Sequence, residues 1–422
     1  MHKLYQLKNG LKILLVPYTG SQAVAVFVAA KVGSKYEKKD INGISHFLEH
    51  MVFKATKTMA DQTELAEVIE KIGGVFNGFT SEEYTCYYAK VANQYLKTAI
   101  DWVADLYLHP LIPTDKVNKE KDIIIEEINM YKDNPMTHVY NIWQELLYGD
   151  QPAGWPIAGS KKSVKNIKHK DLVEYLRRNY TSANTLICLA GNFDSNKAKR
   201  LLHKAFEDIR SARPNTKPKL IEKQTGPQMK FFAKKTDQTH LLLGVKTFNV
   251  LNPKKYPLWI LANTLGGMMS SRLFVKVREK LGLAYYVSTF NEENTDSGYL
   301  ATKAGVDNKN ALAAVRAILN EYKDIRDKGI SDDELKKAKD FLKGQTVLAL
   351  ESCEALATYY SSQELCGEKI KTPKEMFEKI DKVSKSDILK VAKEIFVPSR
   401  INLAMVGPKQ NINQYKKLLN SF

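Results

Sequence analysis

Apolar and polar positions along the chain alternate between two periods, one of short strands and one of amphipathic helices. Residues 3 to 17 alternate on either side of Asn9-Gly10, which predicts two short β-runs joined by a turn. Val24-Ala-Val-Phe-Val-Ala-Ala-Lys31 is apolar and β-branched, the composition of a central strand. A loop from Gly33 to Asn42 leads into a helix that starts at about Ile44. The next helix runs from about Gln62 to Ile72 and stops at Gly73-Gly74. Val75 to Val91, rich in aromatic and β-branched residues, reads as strand, turn, strand. Helices are then predicted over Tyr95 to Leu108, Lys116 to Met130, Thr137 to Leu147 and Lys170 to Asn179. A glycine-punctuated loop, Gly154 to Gly159, lies among them, and Asn184 to Gly191 is a strand ending in a turn.

Ser211-Ala-Arg-Pro-Asn-Thr-Lys-Pro-Lys219 is polar, carries two prolines and marks a boundary. Beyond it the pattern returns. Ile167 to Asp171, Tyr180 and Asn184 to Gly191 match Val383 to Asp387, Phe396 and Arg400 to Gly407 at a constant offset of 216. Val68 to Gly73 matches Val277 to Gly282 at an offset of 209. The expected fold is therefore α+β, with two duplicated domains that each carry a mostly antiparallel sheet with helices on one face. The expected division is an N-terminal domain over residues 1–212, a linker over 213–227 and a C-terminal domain over 228–422.

Length and composition fit that plan. A chain of 422 residues is too long for one core, and 44% hydrophobic with 10% aromatic residues is ordinary for a globular protein. Cys86, Cys188, Cys353 and Cys366 form no C-x-x-C pair and suggest neither a zinc ribbon nor a disulfide framework, so they are expected to be buried free thiols. The net charge of +17 is spread over helices as lysines with acidic neighbours, without a basic block interleaved with aromatics, so no nucleic-acid partner is expected. No run approaches the roughly 18 apolar residues of a membrane span, and the amino terminus has no apolar targeting core. A cytoplasmic location without a membrane partner is the expectation.

Chemistry concentrates in His46-Phe-Leu-Glu-His50. Two histidines at i and i+4 project from one helical face and can converge on one metal, and Glu49 borders that face. Two imidazoles beside a carboxylate suit Zn2+ with an open position for water, and the carboxylate can take that water's proton. H-x-x-E-H is the inverse of H-E-x-x-H, and both orders are zinc-peptidase signatures. Composition alone predicts under about 0.02 occurrences of this pattern in the chain. An amphipathic helix with a solvated polar edge is the other reading of the pentapeptide. Lys116 to Met130 carries Glu120, Glu126 and Glu127 among four isoleucines. Glu120 and Glu127 share a face, and a carboxylate aimed inward there needs a partner such as a metal or its histidines. Leu261-Ala-Asn-Thr-Leu-Gly266 stands near where a second motif would fall, which leaves one metal site per chain.

The chain resembles the pitrilysin and mitochondrial-processing-peptidase family of inverted-motif zinc peptidases, in its short two-domain bacterial form. Gly43-Ile-Ser-His-Phe-Leu-Glu-His-Met-Val-Phe-Lys-Ala-Thr56 is similar to that family's active-site helix, with Ala55 where Gly is usual. Asn77-Gly-Phe-Thr-Ser-Glu-Glu-Tyr-Thr85 followed by Tyr87 resembles its Asn-Ala-x-Thr-x-x-Glu-x-Thr-x-Tyr segment, with Gly78 replacing Ala. The resemblance implies one Zn2+ held by His46, His50 and Glu127, with Glu49 as general base and Glu120 supporting a ligating histidine. It leaves Glu126 off the face. It also implies that Arg278 and Tyr285 support substrate and transition state, and that Asn77, Gly78 and Thr80 hold an extended peptide by strand addition. The implied activity is endopeptidase cleavage of peptides or unfolded segments in a chamber formed by a homodimer. A heterodimer with a metal-less sibling is the alternative, and a non-catalytic scaffold is disfavoured by the intact His46, Glu49, His50 and Glu127.

Overall fold

The computed structural model describes residues 2–422. Its first half runs β1 (Lys3–Gln6), β2 (Lys12–Pro17), β3 (Ala23–Ala30), α1 (Ile44–Val52), α2 (Gln62–Glu70), β4 (Val75–Thr80), β5 (Thr85–Ala92), α3 (Leu96–Leu108), α4 (Thr114–Asp133), α5 (Pro135–Tyr148), α6 (Lys161–Asn166), α7 (His169–Asn179), β6 (Thr185–Gly191) and α8 (Ser195–Ala205). The second half runs β7 (Gln228–Ala233), β8 (Gln238–Lys246), α9 (Lys255–Ala262), β9 (Ala284–Glu293), β10 (Gly298–Asp307), α10 (Ala311–Lys328), α11 (Asp332–Ala349), α12 (Cys353–Leu365), α13 (Pro373–Asp381), α14 (Lys385–Ile395), β11 (Ile401–Gly407) and α15 (Ile412–Asn420). Two π-helical turns, Asn263–Gly267 and Phe274–Lys280, lie between α9 and β9.

The expected α+β fold with duplicated domains is what forms, but helices cover both faces of each sheet rather than the one face expected. The first sheet has the order β1-β2-β6-β3-β5-β4, and the second β7-β11-β8-β10-β9. In each, one pair is parallel, β2 with β6 and β7 with β11, and the other neighbours are antiparallel. Elements displaced by 216 residues coincide: α7 maps onto α14 and β6 onto β11, each residue for residue. At the smaller offset, Gly73 and Gly282 both take positive φ, 68° and 59°, where a side chain would be strained.

The compact units are not consecutive stretches of chain. One comprises Met1–Asn129, Trp155–Lys219 and Leu348–Ile370; the other comprises Met130–Gly154, Leu220–Val347 and Lys371–Phe422. The chain crosses over inside the polar linker, and each unit also takes one helix from the other half of the sequence. In the first, Leu14, Val16, Ala25, Phe27, Ala29, Leu186, Cys188 and Ala190 pack against Leu356, Ala357, Tyr360 and Leu365 of α12. The alternate residues Val24, Val26, Val28, Ile187 and Leu189 are equally buried, so they face the opposite side, and there α3 packs on β3 and β5. The second unit repeats this with α5, whose Val139, Ile142, Trp143 and Leu147 cover Leu242, Ala301, Ala404 and Val406. A sheet buried on both faces needs helices on both, and the second cover is the borrowed helix. Moving α5 by 216 residues lands on α12, so the two exchanged helices are themselves equivalent copies.

Cys86, Cys188, Cys353 and Cys366 are free thiols, the first three buried. Among the described residues no helix is long and apolar enough to cross a membrane.

Candidate metal centre

α1 is preceded at its N-cap by Gly43, whose φ of 95° and closeness to the Ala158 carbonyl, 2.7 Å from where a Cβ would stand, exclude a side chain. Gly43 has no side chain with which to cap the helix. The cap comes instead from Glu37, which accepts the backbone N–H of Gly43 at 2.7 Å, that of Ser45 at 2.9 Å and the Asn42 amide at 2.8 Å. Burial pushes the Glu37 carboxyl up to about 7, against those hydrogen bonds. The buried face of α1, with Ile44, Phe47, Leu48, Met51 and Val52, fixes its rotation and turns His46, Glu49 and His50 to one side.

His46 and His50 stand with ring centroids 4.6 Å apart. Their Nε2 atoms each lie 3.6 Å from Glu127 Oε2, which reaches them from α4. One ligand atom from each of the three falls within 4.8 Å of the others. Ligand atoms about 2.0–2.1 Å from a tetrahedral ion stand about 3.3–3.4 Å from one another, so the 3.6 Å separations suit a shared metal. The donor set agrees: burial and the neighbouring His50 lower the His46 pKa to about 4, leaving it the neutral imidazole that a metal requires.

Glu120, one face of α4 away from solvent, accepts from His50 Nδ1 at 2.8 Å and pairs with Lys54 at 2.7 Å. Burial pushes its carboxyl up, but the hydrogen bonds from His50 and Lys54 outweigh burial and leave it below its ordinary value. With Nδ1–H donated to Glu120, the His50 Nε2 lone pair faces Glu127. His46 Nδ1 has no such partner among the described residues. Glu126 is exposed and accepts from Asn129, off the face, as its position in the helix predicts.

Glu49 points from α1 toward β4. The Thr80 hydroxyl donates to its Oε2 at 2.6 Å, and burial raises its pKa. Thr80, grouped with substrate residues in the sequence, thus holds the carboxylate. Gly78 lets β4 approach: a Cβ there would lie 3.3 Å from Glu49 Cγ and 3.0 Å from Phe53. Asn77 accepts its neighbour's N–H, and β4, bonded only to β5, is the outer strand of the sheet. Lys54 and Glu37 were not legible as site residues. An acid ahead of a helix that starts at glycine was the one available signal for Glu37, and Asp40 carries the same signal. Arg278 and Tyr285 lie in the second unit, Arg278 over the Phe274 ring at 4.7 Å and Tyr285 at the start of β9 with three quarters of its surface exposed.

Residues 12–161 match the insulinase group of peptidase family M16, and residues 166–342 match the M16 inactive domain. An uncharacterized zinc protease of Bacillus subtilis is 35% identical over 415 residues, covering 98% of this chain and 100% of the relative. One from Streptomyces coelicolor is 31% identical, covering 95% of this chain and 88% of the relative. Among solved structures, a protease from Helicobacter pylori superposes with a TM-score of 0.90 at 25% identity, covering 97% of this chain and 99% of that one.

Proposed function

The chain belongs to peptidase family M16, and on that footing we propose that it is a zinc-dependent endopeptidase acting on peptides or unfolded segments. The observation that carries the reading is the convergence of His46, His50 and Glu127, with the buried carboxylate of Glu49 on the same helix face. When bound there, a zinc ion supplies Lewis acidity, polarising a substrate carbonyl and acidifying a water.

The remaining work falls to the chain itself. Glu49 takes the proton of the attacking water and passes it to the leaving amine. Burial, which raises its pKa, makes it a better proton acceptor. Thr80 occupies Oε2 and leaves Oε1 for the proton. Glu120 holds the His50 ring in one tautomer, and Lys54 keeps Glu120 ionised. The outer edge of β4 pairs with an extended peptide through backbone groups at Asn77 and Gly78, which recognises chain rather than sequence.

Arg278 and Tyr285 donate to the developing oxyanion. They do so across a homodimer in which each site combines His46, Glu49, His50 and Glu127 of one protomer with Arg278 and Tyr285 of its partner, enclosing the substrate. Support for this is the presence of both sets in one chain and the exposure of Tyr285.

The test is hydrolysis of a peptide library by the purified protein with and without a chelator. Cleavage should vanish on metal removal and return with one equivalent of zinc. Chelator-resistant cleavage, or zinc binding with no cleavage of any peptide, overturns the reading. Refolding Glu49→Gln with Arg278→Ala should restore activity that neither variant has alone. Mixed dimers no more active than the two variants separately would remove the shared-site arrangement.

A further inference from the structure

We infer that Glu83 and Lys217 are positioning residues for Glu49, and that the segment joining the two halves of the sequence thereby acts on catalysis. The inference rests on the peptidase reading above. Its starting point is the turn between β4 and β5, residues 81–84. Thr80, the residue before that turn, donates to Glu49, and Thr85, the residue after it, donates to the Val32 carbonyl at 2.9 Å. Whatever holds the turn therefore holds the hydroxyl that orients the base.

Two elements hold it. The first is the loop that begins at Gly33, where a Cβ would collide with the Ser81 carbonyl. Ser34 N–H donates to Ser81 O at 3.3 Å and Lys35 N–H to Glu82 O at 2.9 Å. Lys35 then sends its ammonium to Glu83 at 3.3 Å, both side chains being almost wholly buried. The same loop ends at Glu37, the cap of α1, so it ties the turn to the helix that carries Glu49. The second element is the polar segment after α8, whose Lys217 reaches the same Glu83 Oε1 at 2.5 Å. A buried carboxylate with two lysines is costly to break from any side, because the charges that remain are less well compensated away from bulk solvent. Lys217 is the most accessible of the three at 15% exposure, so it is the one that can be removed with least damage to folding.

Lys217→Ala should leave zinc at one per chain and KM within about twofold. It should lower kcat on the order of tenfold, because a carboxylate base misplaced by a fraction of an ångström loses its alignment. Lys217→Arg should restore kcat, since it returns the cation. Glu83→Gln should lower kcat further. Wild-type kcat in Lys217→Ala, or no rescue by Lys217→Arg, overturns the inference. If the zinc-loaded wild type cleaves nothing, the peptidase reading fails and amide hydrogen exchange decides the inference. Residues 80–85 and α1 should exchange faster in Lys217→Ala than in wild type and recover in Lys217→Arg. Unchanged exchange overturns it.

Discussion

α1 and α9 occupy the same place in two copies of one fold. Each follows a central strand and packs against the helix that leads into the strand equivalent at 216 residues, α7 for α1 and α14 for α9. α1 reads Ile-Ser-His-Phe-Leu-Glu-His-Met-Val, whereas α9 reads Lys-Tyr-Pro-Leu-Trp-Ile-Leu-Ala with Leu258, Ile260 and Leu261 fully buried. The same offset carries Glu120 and Glu127 of α4 to Lys336 and Lys343 of α11, which pair with Asp340 and Asp381 at the surface. The scaffold thus depends on apolar positions that both copies keep. The chemistry depends on a few polar side chains that only one copy keeps, so fold and function separate within a single chain.

The sharpest way to break this contrast is to remove the proposed base. Glu49→Gln should lower kcat by about 10²–10⁴-fold, the usual worth of general base catalysis, while zinc stays at one per chain. Loss of zinc in this variant would make Glu49 a ligand, and two zinc ions per chain would mean that the second copy binds metal after all. Either result is read by metal analysis.

How much of this was open to the sequence depends on the range of the interaction. The i, i+4 histidines and the acid at i+3 are local, and helical geometry alone brings them together. The duplication was legible because equal offsets preserve both the α7 and α14 helices and the strands after them. Exchange of α5 and α12 was not, since nothing in the apolar stripe of α5 says which sheet it will cover, and the apolar residues of α12 are not gathered on one side at all. Glu37, Lys54 and the Lys35–Glu83–Lys217 cluster were hidden for the same reason. The partners of Lys54 and of that cluster lie far away in sequence, those of Glu37 only five to eight residues on, and a charged residue in a loop ordinarily reads as solvated.

A second contrast is electrostatic. α9 has no acid or histidine, whereas His46 in α1 is held down to about 4 by burial and by His50. Its unfolded value is near 6.5, so between those pH values the unfolded chain binds a proton that the metal-free fold does not. This contribution is complete above pH 6.5 and is lost as the pH falls through 4, by about 3 kcal/mol. Glu37, raised to about 7, works the other way, since its ionised form becomes the costly one as pH rises. The measurement is therefore a difference. Denaturant stability of metal-free wild type minus that of His46→Gln should fall by about 3 kcal/mol from pH 7 to pH 4. A flat difference would mean that His46 protonates as readily folded as unfolded.

The copies also differ behind the sheets. Tyr180 follows α7, buried, with its hydroxyl 2.8 Å from that of Tyr87; the matching residue after α14 is Phe396, stacked on Tyr322 at 4.4 Å. Tyr180→Phe makes the first copy like the second but strands the Tyr87 hydroxyl. It should cost about 1–3 kcal/mol in denaturant unfolding and leave zinc content unchanged. Tyr87→Phe combined with it should recover part of the loss, because removing both partners is milder than orphaning one.

The smallest difference is a single helix cap. In α14, Ser384 N–H donates to Asp387 Oδ2 at 2.9 Å and Asp387 N–H donates back to Ser384 Oγ at 3.2 Å, a reciprocal box. α7 keeps only half of it: Lys168 N–H donates to Asp171 Oδ2 at 2.8 Å, but a lysine at the cap offers no acceptor in return. The Asp171 N–H bonds only the Lys168 carbonyl, at 2.9 Å. Lys168→Ser should supply the missing oxygen with the backbone already extended, at φ −107° and ψ 159°, as a cap requires. The gain should be about 1 kcal/mol, or about 2–4 °C in the unfolding midpoint of a unit this size, and Ser384→Ala should lose a similar amount from the other copy. Should Ser384→Ala destabilise while Lys168→Ser changes nothing, the duplicated helices would share a backbone but not its energetics, and the equivalence of the copies would stop at geometry.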